Sequence, residues 1–158
     1  MPQKSKTKPI LVPVDFSSHS EAALLKACEF AECPKLPIVV LHVVHDPGDM
    51  PSYYSKITKK KQLVRVEDVA AEIFSDFIKS VKKRNPDNKQ LKKISTMLVR
   101  GIPVTRILQV ADKINASMVV MGSLGRTGLE HALLGSKSEQ VVRQCPIPVT
   151  IVKSEPVI

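Results

Sequence analysis

Apolar positions along this chain follow two rhythms, and the rhythms alternate. Short continuous runs are one: Ile10-Leu11-Val12-Pro13-Val14, ended by Asp15, and Ile38 to Val44, interrupted only by His42. Ile94 to Val99, which alternates, Met118 to Met121 and Ile147 to Val152 bring the number of strand-length runs to five. Between them apolar residues recur at spacings of three and four, as on one face of a helix. Ser17 or Ser18 can cap a first helix carrying Ala22, Ala23, Leu25, Ala27 and Phe30, with Glu21 in its first turn and Pro34 and Pro37 marking its exit. A second helix is predicted from about Thr58 to Arg84, with Val66, Val69, Ala70, Ile73, Phe77 and Val81 in one stripe and Asn85-Pro86-Asp87 as its stop. Gly101-Ile102-Pro103 opens a third, carrying Ile107, Leu108, Val110, Ala111 and Ile114, and a fourth runs from about Ser136 to Arg143.

Strands separated by helices of this length need crossover connections, which make the sheet parallel. Strands that are nearly all apolar belong to a sheet covered on both faces. Right-handed crossovers then give a doubly wound α/β fold, expected as a single domain over residues 1–158. Such folds bind ligands beyond the carboxyl ends of their strands, where the strand order reverses. Two features fall at such ends: Asp15 after strand one, and a glycine-punctuated loop after strand four.

Composition narrows the partners. Aromatics are 4% of the chain and Trp is absent, so the core must be aliphatic. No apolar run approaches the roughly 18 residues of a membrane span, so no membrane partner is expected. Three cysteines (Cys28, Cys33, Cys145) at unrelated spacings form no zinc or disulfide pattern, which suits a reduced, cytoplasmic protein. The formal net charge is +9, with twelve Lys/Arg against five acids between Lys56 and Lys93. These cations are spread through a helical pattern rather than packed with aromatics, so they read as a solvated face and no nucleic-acid partner is expected.

Four of the six glycines lie in one segment, Gly122-Ser-Leu-Gly125-Arg-Thr-Gly128-Leu-Glu-His-Ala-Leu-Leu-Gly135-Ser136. Glycine lets a backbone approach a ligand closely. Gly135-Ser136 precedes a helix, whose first amides favour an anion, and Arg126 can neutralise a phosphate. The segment is neither a P-loop, GxxxxGK[ST], nor the dinucleotide fingerprint GxGxxG. On these residues alone it is either a phosphate cradle or a structural loop.

The spacing Gly122-x2-Gly125-x9-Gly135-Ser136 resembles the motif G-x2-G-x9-G-[ST] of the ATP-binding branch of the universal stress protein family. ILVPVDFS near the start, VVLHVV at strand two, MGSLGRTGLEHALLGSKSEQVV and CPIPVTIVK near the end are similar to that family too. The resemblance implies five parallel strands ordered 3-2-1-4-5 and an adenine nucleotide as ligand: ATP, with AMP or cyclic AMP as alternatives and Mg2+ accompanying the phosphates. It implies that Asp15 hydrogen-bonds the adenosine part beside Pro13 and Val14. Val43 would meet the adenine with its backbone, Gly122 and Gly125 would pass near ribose and phosphates, and Gly135 and Ser136 would hold the phosphates. Met121, Arg126 and Lys137 complete the expected site. Leu124 departs from the family's common His, and Lys137 from a common small apolar residue such as Val. The resemblance also implies a homodimer paired through the Pro148–Val152 edge strand.

Rival readings stand beside these. Asp15 can cap the following helix. His42 reads as a satisfied core histidine, and His19 and His131 have no evident partners in the sequence. Cys145 before Pro146 reads as packing, with a redox role as the alternative, and Tyr53 and Tyr54 either anchor their loop or cover a nucleotide. No nucleophile–base–orienter set is evident. The expected function is a stress-response sensor or regulator that binds ATP and acts through an unknown protein partner. The alternatives are a slow ATP hydrolase and a nucleotide-free dimeric scaffold.

Overall fold

In the computed structural model, residues 7–45, 66–124 and 134–154 are described. The elements run β1 (Ile10–Pro13), α1 (Ser18–Phe30), β2 (Ile38–His45), α2 (Val66–Arg84), a 3-10 turn (Leu91–Lys93), β3 (Ser95–Gly101), α3 (Pro103–Lys113), β4 (Met118–Gly122), α4 (Ser136–Gln144) and β5 (Val149–Val152). The five strands form one parallel sheet in the order β3-β2-β1-β4-β5. The expected fold class and strand order are therefore those observed. The part of the second helix expected before Val66, and the Tyr53-Tyr54 loop, lie outside the described residues.

Local chemistry explains the element ends. Ser17 is the N-cap of α1, and its hydroxyl accepts from the Ser20 amide at 3.2 Å. Helix α2 carries Glu67 and Asp68 in its first turn and Lys82, Lys83 and Arg84 in its last, which matches the helix dipole at both ends. At its exit the Asn85 side chain donates to the Val81 carbonyl at 2.9 Å. Pro103 begins α3, where its missing N–H costs nothing, and Asn115 takes φ +53° in the turn after that helix. Gly101 was expected to open α3. It instead closes β3, at φ +144°, with Arg106 packed where a Cβ would stand.

Alternate residues of the strands serve two cores. Ile10, Val12, Ile38, Val40 and Val120 face α1 and α2, where Ala23, Leu24, Ala27, Phe74, Ile78 and Val81 are buried. Leu11, Leu41, Val119 and Met121 face α3 and α4, where Val104, Ile107, Val110, Ala111 and Val141 are buried. Each fully buried aliphatic side chain stabilises the fold by about 1.5–3 kcal/mol. Both faces are thus covered, and among the described residues the outer strands of the sheet are β3 and β5. Because β1 is flanked by β2 and β4, the strand order reverses beside β1, and a cleft opens there at the carboxyl ends.

Candidate functional site

A cavity of about 390 Å³ lies at that reversal point, within the range of small-molecule pockets. β1 and the residues after it supply Pro13, Val14 and Asp15, β2 supplies Leu41, His42 and Val43, and β4 supplies Met121 and Gly122. Pro103 and Ile107 come from α3, and Gly135, Ser136, Lys137 and Ser138 from the start of α4. Every expected site residue that is described lines this one cavity. Gly125 and Arg126 lie outside the described residues.

On the β1 side the geometry is a side-chain network. The Asp15 carboxylate accepts from the Ser17 amide at 3.0 Å and from the Ser17 hydroxyl through the same oxygen. The buried Ser20 hydroxyl donates to the Ser17 carbonyl at 3.0 Å, and the Asp15 amide donates to that hydroxyl at 3.4 Å. Asp15 therefore braces the α1 cap while facing the cavity, but the cap itself is Ser17 and not Asp15. Next to it Phe16 stands at φ +70°, a conformation unfavourable for a bulky L-residue. Its ring lies 4.2 Å from that of His42 and 5.8 and 5.5 Å from Phe74 and Phe77 of α2. His42 donates through Nδ1 to the Val14 carbonyl at 2.8 Å. It is a satisfied histidine, as expected, and it also forms part of the cavity wall.

On the β4 side the geometry is backbone. A Cβ added to Gly122 would lie 2.7 Å from the His19 carbonyl oxygen, so β4 and α1 approach too closely for any side chain there. The buried Ser138 hydroxyl donates to the Gly122 carbonyl at 2.9 Å, and the Gly135 amide donates to the Ser123 carbonyl at 2.7 Å. These two bonds aim the start of α4 at the cavity. Its first amides have no acceptor within the helix, and Ser136 adds a hydroxyl.

Several lining residues carry no signal of a site in the sequence. Pro103 and Ile107 fit an ordinary helix pattern, although α3 begins at the carboxyl end of a strand, where doubly wound folds place their sites. Ser20 and Ser138 were hidden in helical runs as ordinary polar positions. His19, without an evident partner in sequence, is hydrogen-bonded to Ser154. Cys28 is buried in the core, and desolvation pushes its thiol up to about 11 against a weaker lowering by Asn88, which keeps it neutral. Among the described residues no cluster of three His, Cys, Asp or Glu could hold a metal ion, and no helix is long and apolar enough to cross a membrane.

A five-stranded parallel sheet with helices on both faces and a cleft at its reversal point defines a doubly wound α/β protein. The chain belongs to the universal stress protein family, whose model matches residues 6–153. It is 31% identical over 146 residues to universal stress protein MJ0531 of Methanocaldococcus jannaschii, covering 92% of this chain and 82% of that one. It is 29% identical over 153 residues to universal stress protein MJ0577 of the same organism, covering 92% and 94%. The solved MJ0577 structure superposes with a TM-score of 0.74 at 28% identity, covering 94% of this chain and 97% of that one. A universal stress protein from Archaeoglobus fulgidus in complex with dAMP has the same fold, with a TM-score of 0.59 at 22% identity and coverage of 92% and 98%.

Proposed function

We propose that the chain binds ATP in the cavity at the β1–β4 reversal and acts as a nucleotide-dependent regulator in a stress response, in the cytoplasm. The observation that carries this reading is the convergence of Asp15, Val43, Gly122, Gly135 and Ser136 on one cavity, from four different elements. The residues present suit the ligand. Leu41, Val43, Met121 and Ile107 offer apolar surface for a base, Asp15 offers an acceptor for sugar or base hydrogens, and the start of α4 offers amides and a hydroxyl for phosphates. The dAMP complex of the Archaeoglobus fulgidus relative supports an adenine nucleotide as the class of ligand.

Binding is favoured over hydrolysis because Asp15 is the one acid lining the cavity among the described residues, and its carboxylate is engaged by Ser17. Hydrolysis would need a group to orient water against the terminal phosphate. Isothermal titration with ATP, AMP and cyclic AMP, with and without Mg2+, tests the reading. ATP should bind with micromolar or tighter affinity, and Asp15→Ala should weaken it at least tenfold. Absence of heat with every nucleotide overturns the proposal. Phosphate release above the buffer rate, abolished by Asp15→Ala, would turn the reading toward a hydrolase.

The β5 edge supports a second feature of the same reading, a homodimer. Val149, Thr150, Ile151 and Val152 are each only half-buried, and among the described residues β5 has no strand beyond it. Pairing of Pro148–Val152 with its copy would cover this edge. Light scattering should give a dimer for the protein and a monomer for Ile151→Lys. A monomer without any substitution sinks this feature.

A further inference from the structure

The first turn of helix α4 holds a residue that its own backbone disfavours. Lys137 lies in the first turn, where the helix dipole is positive and a cation is destabilising. Glu139, the acid of that turn, does not compensate it: its carboxylate pairs with Arg143, one turn on, at 2.7 Å. Lys137 makes no ion pair among the described residues. Ser138 is turned away onto the Gly122 carbonyl and the Gly135 amide onto the Ser123 carbonyl, so neither donor is left for a ligand. Among the described residues, Ser136 and Lys137 line this corner of the cavity beside the first helix amides. A positive charge at the positive end of a helix, facing a cavity, is a local conflict of the kind that occurs at functional sites.

We infer that Lys137 makes the site selective for nucleotide charge, holding the outer phosphates of a triphosphate so that ATP is preferred to AMP without a divalent cation. The inference rests on the nucleotide reading above and sharpens it. Neutral donors and amides can hold an α-phosphate of any adenine nucleotide. An ammonium beside them adds attraction that grows with each further phosphate charge. The preference should therefore reside in the ratio of ATP to AMP affinity rather than in AMP affinity itself. It should also weaken with added salt, because Lys137 is exposed.

The test is titration of ATP and AMP in EDTA into the unaltered protein, Lys137→Gln and Lys137→Arg. Lys137→Gln should weaken ATP roughly tenfold, the scale of one charge-assisted hydrogen bond, and AMP less than twofold. Lys137→Arg should restore most of the preference. In the absence of nucleotide Lys137→Gln should melt at the same temperature or slightly higher, since a cation has left the helix N-terminus. That readout separates lost ligand contact from lost fold. Equal loss of ATP and AMP affinity, or no loss of either, overturns the inference and leaves the nucleotide site standing. No binding of either nucleotide by the unaltered protein overturns both.

Discussion

The two walls of the cavity are built by opposite means. The β1 wall is held by side chains: Asp15 bonds Ser17, Ser20 bonds the Ser17 carbonyl, and Phe16 is fixed at φ +70° by the rings of His42, Phe74 and Phe77. The β4 wall is held by close backbone contact and one side-chain bond: Gly122 lies against the His19 carbonyl, with no room for a side chain, and its own carbonyl takes the Ser138 hydroxyl. A wall of side-chain hydrogen bonds can lose one bond and persist. A wall of close backbone contact has no atom to yield, so added volume there must displace a strand or a helix.

That contrast is broken or upheld first at Gly122. Gly122→Val puts a branched side chain into backbone 2.7 Å away and should cost about 3 kcal/mol or more in urea denaturation. Gly122→Ala should already cost roughly half of that. If Gly122→Val folds with unchanged stability, the β4 wall is not the rigid one. The expectation that Gly122 serves by passing near ribose and phosphates therefore gains a competitor: close packing requires a glycine here with or without a ligand. Loss of nucleotide binding in this variant cannot by itself locate the site.

The next largest effect belongs to Phe16. Phe16→Ala removes the ring that joins the β1 wall to α2 and should cost about 2 kcal/mol, less than a fully buried Phe because this ring is only partly buried. Phe16→Gly removes the same ring but also relieves the left-handed backbone, so it should be more stable than Phe16→Ala by about 1 kcal/mol. Ordinary helix and loop positions show the reverse order. Equal stability of the two variants would show that the aromatic contacts do not hold a strained residue in place.

Much of this was legible in the sequence because the signals were local. Five apolar runs gave five strands, Ser17 gave a cap, and Pro103 gave a helix start, since each is decided within a few residues. The strand order came from resemblance to a family, because crossover direction leaves no mark within a strand. The site was half legible. Asp15 and Gly135-Ser136 sit at element ends, where rules for strand termini and helix N-termini apply. Ser138 and Phe16 were not legible as site-building residues. The partner of Ser138 is a carbonyl sixteen residues earlier, and the backbone of Phe16 is fixed by rings from β2 and α2. Such contacts exist only after the sheet has assembled.

Ser138→Ala tests the polar part of the β4 wall. It removes the one side-chain donor seen on the Gly122 carbonyl, inside a buried contact, and should cost about 1–2 kcal/mol in urea denaturation. Asp15→Ala, its counterpart on the β1 wall, should cost about 1 kcal/mol, because water can reach the half-buried Ser17 amide that it leaves behind. A larger loss at Asp15 than at Ser138 would reverse the comparison and make the side-chain wall the less tolerant of the two.

The smallest expected effect is the most discriminating. In Asp15→Asn the amide oxygen can still accept from the Ser17 N–H in the same turn geometry, and Asn serves as well as Asp in such turns. Folding stability should therefore change by less than about 0.5 kcal/mol. A ligand contact would respond differently, because Asn presents one acceptor oxygen and no charge where Asp presents two oxygens. If Asp15 holds the sugar or base of a nucleotide, Asp15→Asn should lose affinity several-fold in titration while its denaturation curve overlays that of the unaltered protein. If it only braces the Ser17 cap of α1, both curves should overlay. The two roles of this carboxylate, brace and ligand, are thus separated by a substitution that keeps its shape and removes its charge.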